Sequence, residues 1–270
     1  GLTELRALDT SAADSASVAA HDLFGVVMDF IPLGSVESVF RRARCRDVKR
    51  LILVAMHAAG GLMHSHAEGV IHRDIASRNF LLGEGDRVYL CDFGLARCLP
   101  RGQHVGYERS GVIPVKAMCP EALRTGEYST KTDVWQFGVF LWECFALEDP
   151  YEGLDCKSVG DGIVKGTVTL TPPAHTPKSV AALMRDCWHR DPSQRLSMTS
   201  VCERLKVLVG LPEITDAPAD TGSGGESLVN ATATVSSSST YANVYQPFPP
   251  GGVTSAYANI YQPFRLDGLE

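Results

Sequence analysis

Residues 132–146 form a helix-length run that is apolar in almost every direction. Val134, Trp135, Phe137, Val139, Phe140, Leu141 and Trp142 spread around a 3.6-residue period instead of lining one stripe. A helix of that kind cannot lie on a surface, so it predicts a central helix inside a shell of other elements. The flanking sequence supplies the shell. Residues 48–67 read as a long helix carrying Leu51, Leu53, Val54, Ala58 and Leu62, and residues 179–188 and 198–209 read as two more. Two short β-like runs, 80–82 and 88–91, lie between the first two helices. The expectation is an α+β fold, with a mostly helical lobe over residues 31–211.

On either side of that lobe the chain changes character. Residues 1–30 hold two short apolar runs joined at Asp22, a hairpin pattern, after Leu2, Leu5 and Leu8 at helical spacing. A lone hairpin is marginal in water, so this stretch is expected to be the remnant of a larger β unit, in a chain that starts at Gly1 without an initiating Met. Residues 212–270 are rich in Ser, Thr, Ala, Gly and Pro and read as a disordered tail. That tail carries six acids and one base, a net charge of −5 out of −6 for the whole chain. The near-neutral remainder lacks the basic face that nucleic-acid binding needs. The most apolar stretch, 51–70, is broken by His57, His64, Ser65, His66 and Glu68, which excludes a membrane span there. The eight cysteines include no Cys-x-x-Cys pair and fit a reducing, cytoplasmic setting. The run His57, His64, His66, His72 completes no known metal-ligand spacing.

Five motifs follow in order. They are His72-Arg73-Asp74-Ile75-Ala76-Ser77-Arg78-Asn79, then Asp92-Phe93-Gly94, Pro114-Val115-Lys116 leading to Cys119-Pro120-Glu121, Asp133-Val134-Trp135, and Asp191-Pro192 leading to Arg195. In this order and spacing they resemble the protein kinases, and within them the tyrosine kinases, over roughly residues 17–210. The resemblance implies ATP and Mg²⁺ as cofactors and tyrosine-bearing proteins as substrates. It implies Asp74 as the base for the substrate hydroxyl, with Arg78 and Asn79 in the catalytic loop, and Asn79 and Asp92 as Mg²⁺ ligands. Met28, Asp29, Ile31, Leu82 and Cys91 are the implied adenine contacts. Arg73 and Tyr107 are the implied regulatory pair, a phosphate on Tyr107 bonding Arg73. Glu121 and Arg195 are the implied buried ion pair, and Asp133 the cap of the central helix that also holds the catalytic loop.

Ala76 stands where serine/threonine kinases usually place a Lys, two residues after the base, and Arg78 lies two further on, so the resemblance favours tyrosine as substrate. Ala117 and Cys119 depart from the family's usual Trp and its usual Ala or Ser. The Gly-rich loop and its phosphate-holding Lys have no counterpart: only Gly1 and Gly25 precede Met28, and the first lysine is Lys49. Glu4 lies too close to Met28 for the helix Glu. These 270 residues alone are therefore expected to transfer phosphate poorly. A catalytically dead scaffold and a serine/threonine kinase are the alternatives.

The tail holds a repeat, Tyr241-Ala-Asn-Val-Tyr245-Gln-Pro-Phe and Tyr257-Ala-Asn-Ile-Tyr261-Gln-Pro-Phe. These tyrosines resemble ligands of phosphotyrosine-reading adaptor domains, whose Arg pockets take the phosphate.

Overall fold

The computed structural model describes residues 28–210 except 110 and 112. The expected hairpin before Met28, Glu4 and the tail tyrosines Tyr241, Tyr245, Tyr257 and Tyr261 lie outside the described residues.

The chain enters through a turn, where the Gly34 N–H donates to Ile31 O at 3.3 Å. Helix α1 (Val36–Ala43) follows, capped by the Ser35 side chain on the Ser38 N–H. Helix α2 (Val48–Ala67) starts at Asp47, whose carboxylate takes the N–H groups of Lys49 and Arg50. Its 20 residues bury Leu51, Ile52, Val54, Ala55, Ala58, Ala59 and Leu62 along one side. Six short strands then form three antiparallel ribbons: β1 (Val70–Ile71) with β4 (Arg97–Cys98), β2 (Phe80–Leu82) with β3 (Val88–Leu90), and β5 (Val105–Tyr107) with β6 (Glu127–Ser129). Helix α3 (Pro120–Thr125) has Pro at its first position and ends at Gly126, where φ is 73°.

Helix α4 (Thr130–Ala146) is the predicted central helix. Ser129 and Thr132 form a reciprocal capping box at its start, and fourteen of its seventeen residues are buried. Gly138 lets Trp188 approach it closely; a Cβ there would sit 2.6 Å from the indole Nε1. Helices α5 (Cys156–Lys165), α6 (Lys178–Cys187) and α7 (Met198–Gly210) complete the shell, with α7 packed on α2 and α6 on α4. The main core joins α1, α2, α4, α6 and α7 around Phe40, Phe80, Phe137, Phe140 and Phe145. A smaller cluster links α3, α4 and α5 through Trp135, Val139, Val159 and Ile163. Among the described residues, no helix is long and apolar enough to cross a membrane.

One sequence expectation is corrected here. Asp133 does not cap α4: Ser129 does, and Asp133 sits inside the first turn with its carboxylate buried against the loop at His72 and Arg73. Serine reaches the free N–H groups from outside the helix, which frees the aspartate for other partners.

Candidate active site

The loop from His72 to Asn79 pairs with no strand, so its backbone groups need other partners. They find them on α4. Asp133, with no exposed surface, takes the N–H of His72 at 2.8 Å and of Arg73 at 2.9 Å. Gln136 Oε1 accepts from the Ile75 N–H at 3.1 Å, and its Nε2 donates to Arg73 O at 2.9 Å. Glu143 Oε2 accepts from the Ser77 N–H at 2.7 Å. The three residues share one face of the helix because 3 and 7 residues are close to whole turns. His66 on α2 donates from Nε2 to Asp133 Oδ2 at 2.8 Å. Burial raises the Glu143 carboxyl from 4.5 to about 7, against the opposing pull of the Ser77 hydrogen bonds.

Within the loop, Asp74 is pinned at both carboxylate oxygens. Arg78 donates to Oδ1 at 2.5 Å and Asn79 Nδ2 to Oδ2 at 2.8 Å, with a second Asn79 bond to the Asp74 carbonyl at 2.8 Å. A single 3₁₀ turn, Ser77–Asn79, brings these donors back over Asp74. The His72 ring lies 3.0 Å from Cys91 O through Nε2 and 3.4 Å from the Asp74 N–H through Nδ1. A neutral ring with its proton on Nε2 serves both contacts.

The 13-residue interval between Asn79 and Asp92 is a hairpin. The chain leaves along β2, turns, returns along β3, and closes with the Cys91 N–H on Asn79 O at 2.9 Å. Asn79 and Asp92 therefore both stand at the open end of that ribbon. Asp92 is exposed and left-handed, with φ 58°, and its Oδ1 takes the Gly94 N–H at 3.2 Å. Asn79 spends its amide hydrogens on Asp74, leaving its carbonyl oxygen as the acceptor end. Two hard oxygen donors suit Mg²⁺, which completes its octahedron with phosphate and water oxygens. Among the described residues no cluster of three or more His, Cys, Asp or Glu side chains is arranged to hold a metal.

Of the implied adenine contacts, Met28 is 62% exposed, and Asp29 is also exposed. Ile31 is half-buried in the entry turn, which docks on β2 through the Leu82 N–H on Gly34 O at 2.8 Å. Leu82 itself points the other way. Strand alternation buries Phe80 and Leu82 in the main core and leaves Leu81 half-buried on the opposite face. Leu81 is bridged to Ser35, and Leu82 is corrected to a core residue. Cys91 donates its Sγ–H to Asn79 O at 3.3 Å, and burial, with Asp92 adding, pushes its thiol up to about 11. It is held protonated.

The expected pairing of Arg73 with a phosphate on Tyr107 belongs to the phosphorylated chain; in the unphosphorylated chain Arg73 has other partners. The Tyr107 side chain is 67% exposed, while its backbone pairs with Glu127 in the β5–β6 ribbon. Arg73 donates to the carboxylate of Glu108, which Arg97 also bonds at 2.6 Å. The Arg97 hydrogen bond first, then Arg73, holds the Glu108 carboxyl below the usual carboxylate range. Arg73 also stacks over the Tyr128 ring at 4.8 Å. The Glu108 N–H reaches Gly126 O at 2.9 Å, and a Cβ on Gly126 would lie 2.4 Å from Glu108 O, so only glycine permits this approach.

Further from the loop, the Arg195 guanidinium meets Glu121 at 2.7 and 3.3 Å and caps the carbonyls of Lys131 at 2.7 Å and His189 at 2.9 Å. Ala117 and Cys119, the two departures from the family pattern, are both buried in the smaller cluster against Trp135. Gln136, Glu143, His66, Glu108 and Arg97 escaped the sequence reading. For two of them a signal existed: a polar side chain inside an all-apolar helix needs a buried partner.

The family described as protein tyrosine and serine/threonine kinase matches residues 15–205. The megakaryocyte-associated tyrosine-protein kinase of Mus musculus is 36% identical over 189 residues, 68% of this chain and 36% of that protein. Tyrosine-protein kinase Fer of Homo sapiens is 32% identical over 187 residues, 68% of this chain and 22% of that protein. The transforming protein Fps of Fujinami sarcoma virus is 37% identical over 182 residues, 67% of this chain and 21% of that protein. The chain spans about a fifth to a third of the length of these relatives. With the match running over more than half of its residues, the chain belongs to the protein tyrosine and serine/threonine kinase family.

Proposed function

We propose that the chain carries the catalytic lobe of a protein tyrosine kinase, which transfers the γ-phosphoryl group of ATP to tyrosine in protein substrates. The observation that supports it best is the Asp74 carboxylate, oriented at both oxygens by Arg78 and Asn79 beside the ribbon end that presents Asp92. Asp74 accepts the phenolic proton and aligns the hydroxyl for in-line attack. Asn79 and Asp92 hold Mg²⁺ through oxygen. Mg²⁺–ATP, when bound, supplies the phosphoryl group and neutralises charge on its oxygens. Arg78, reaching Asp74 from four residues on, favours tyrosine over serine, as do the tyrosine-kinase names of the relatives.

In this reading the protein acts in the cytoplasm, and Tyr241, Tyr245, Tyr257 and Tyr261 recruit phosphotyrosine-reading adaptors once phosphorylated. The test is transfer from labelled ATP by the complete gene product, followed by phosphoamino-acid analysis. Phosphotyrosine that falls about 10²–10⁴-fold in Asp74→Asn supports the proposal. Phosphoserine alone, or transfer indifferent to Asp74, refutes it. A complete product that binds adaptors through its tail but transfers nothing is the scaffold alternative.

A further inference from the structure

We propose that Gln136 is the positioning residue of Asp74: its amide grips the backbone on both sides of the carboxylate and so fixes the direction in which Asp74 points. The importance of that direction rests on the reading of Asp74 as the base.

The argument is one of degrees of freedom. Peptide planes are rigid, so the orientation of a residue is set by the two planes that meet at its Cα. For Asp74 these are the plane ending in Arg73 O and the plane ending in the Ile75 N–H. Gln136 bonds both, donating to the first at 2.9 Å and accepting from the second at 3.1 Å. It thereby fixes φ and ψ of Asp74 together, while Arg78 and Asn79 fix the side chain.

The grip also has something to resist. Arg73 has φ 69°, a left-handed conformation that costs a residue bearing a Cβ and is held by its surroundings. Its N–H is held by Asp133 and its carbonyl by Gln136, one turn apart on the same helix. A terminal amide is the side chain suited to this task. It carries a donor and an acceptor in one plane, whereas glutamate has no donor when ionised, methionine has neither, and asparagine is one methylene shorter. Gln136 is 4% exposed, so water does not substitute freely for either contact. Its charged and titratable surroundings are Asp133 on α4, His72 and Arg73 on the loop, and Glu108, Cys119, Glu127 and Tyr128 around the cleft that Gln136 lines.

The test compares Gln136→Met and Gln136→Glu with the unaltered full-length chain, by residue-resolved hydrogen exchange and thermal unfolding. Gln136→Met should speed exchange of the Ile75 amide at least tenfold while amides of α2 and α6 keep their rates. At high pH the Gln136→Glu carboxylate can still accept from the Ile75 N–H but has no proton for Arg73 O, and repulsion between those two oxygens should push the side chain off the loop and speed exchange of the Ile75 amide. It should regain protection at low pH, where the protonated acid again donates to Arg73 O and accepts from Ile75. Correction for intrinsic exchange leaves that recovery visible in Gln136→Glu and absent in Gln136→Met. Unchanged Ile75 protection in Gln136→Met, or no pH-dependent recovery in Gln136→Glu, overturns the proposal. In the complete gene product, Gln136→Met should lower kcat about tenfold or more with KM for peptide retained; an unchanged kcat overturns the positioning role. Transfer indifferent to Asp74→Asn would remove the kinase reading instead, and the exchange result would still decide whether Gln136 holds the loop.

Discussion

Removing the Glu121 carboxylate should cost this fold about 3–5 kcal/mol, the general penalty for stranding one member of a buried ion pair. The structure places Glu121 and Arg195 at the upper end of that range. The Arg195 side chain has no exposed surface and that of Glu121 is 8% exposed, so water cannot replace the lost partner. The guanidinium would keep its bonds to the carbonyls of Lys131 and His189 and its place over the Trp135 ring at 5.2 Å, but no counter-charge would remain. For a domain of this size each kcal/mol moves the midpoint by about 2–4 °C, so Glu121→Ala should lower Tm by about 6–20 °C. Calorimetry on Glu121→Ala, Arg195→Met and the double variant measures it. The double variant should recover part of the loss, because neither charge then has to be buried. A single-variant drop below about 2 °C, or strictly additive losses in the double, would refute the reasoning.

Glu108→Gln should increase proteolytic cleavage and amide exchange over residues 97–109, since it removes the charge shared by Arg73 and Arg97; Tyr107→Phe should leave both unchanged. The Glu143 carboxyl titrates higher folded, at about 7, than unfolded, near 4.5. Its stabilising contribution is therefore full below pH 4.5 and lost as pH rises through 7, so Glu143→Gln should flatten that slope in denaturant titrations and stabilise at pH 8 by about 3 kcal/mol. Cys91, lifted to about 11, should react with iodoacetamide at pH 7.5 far more slowly than exposed Cys98 or Cys156.

The helices were readable because burial writes itself into spacing. The run 48–67 coincides with α2, and the all-apolar run extends only to Thr130 at its start. Helices α1, α3 and α5 were not anticipated: α1 has eight residues and α3 six, and α5 draws on Gly160 and Gly162, which carry no apolar signal. At the site, the short motifs identified Asp74, Asn79 and Asp92 as residues, and local turns bring the first two together. Contacts across long separations were invisible in a single sequence. Nothing near Arg73 announces that Glu108, 35 residues on, takes its side chain. The placing of Leu82 among the adenine contacts failed for a simpler reason, since only the direction of the strand pleat shows that it faces the core.

The loop around Asp74 borrows its shape from α4 instead of from neighbouring strands. It therefore has no independent existence as a graftable module. A chimera that imports residues 72–79 from a relative without the matching helix would set foreign amides against the wrong side chains. Exchange of both segments together is the smallest transplant that conserves the arrangement.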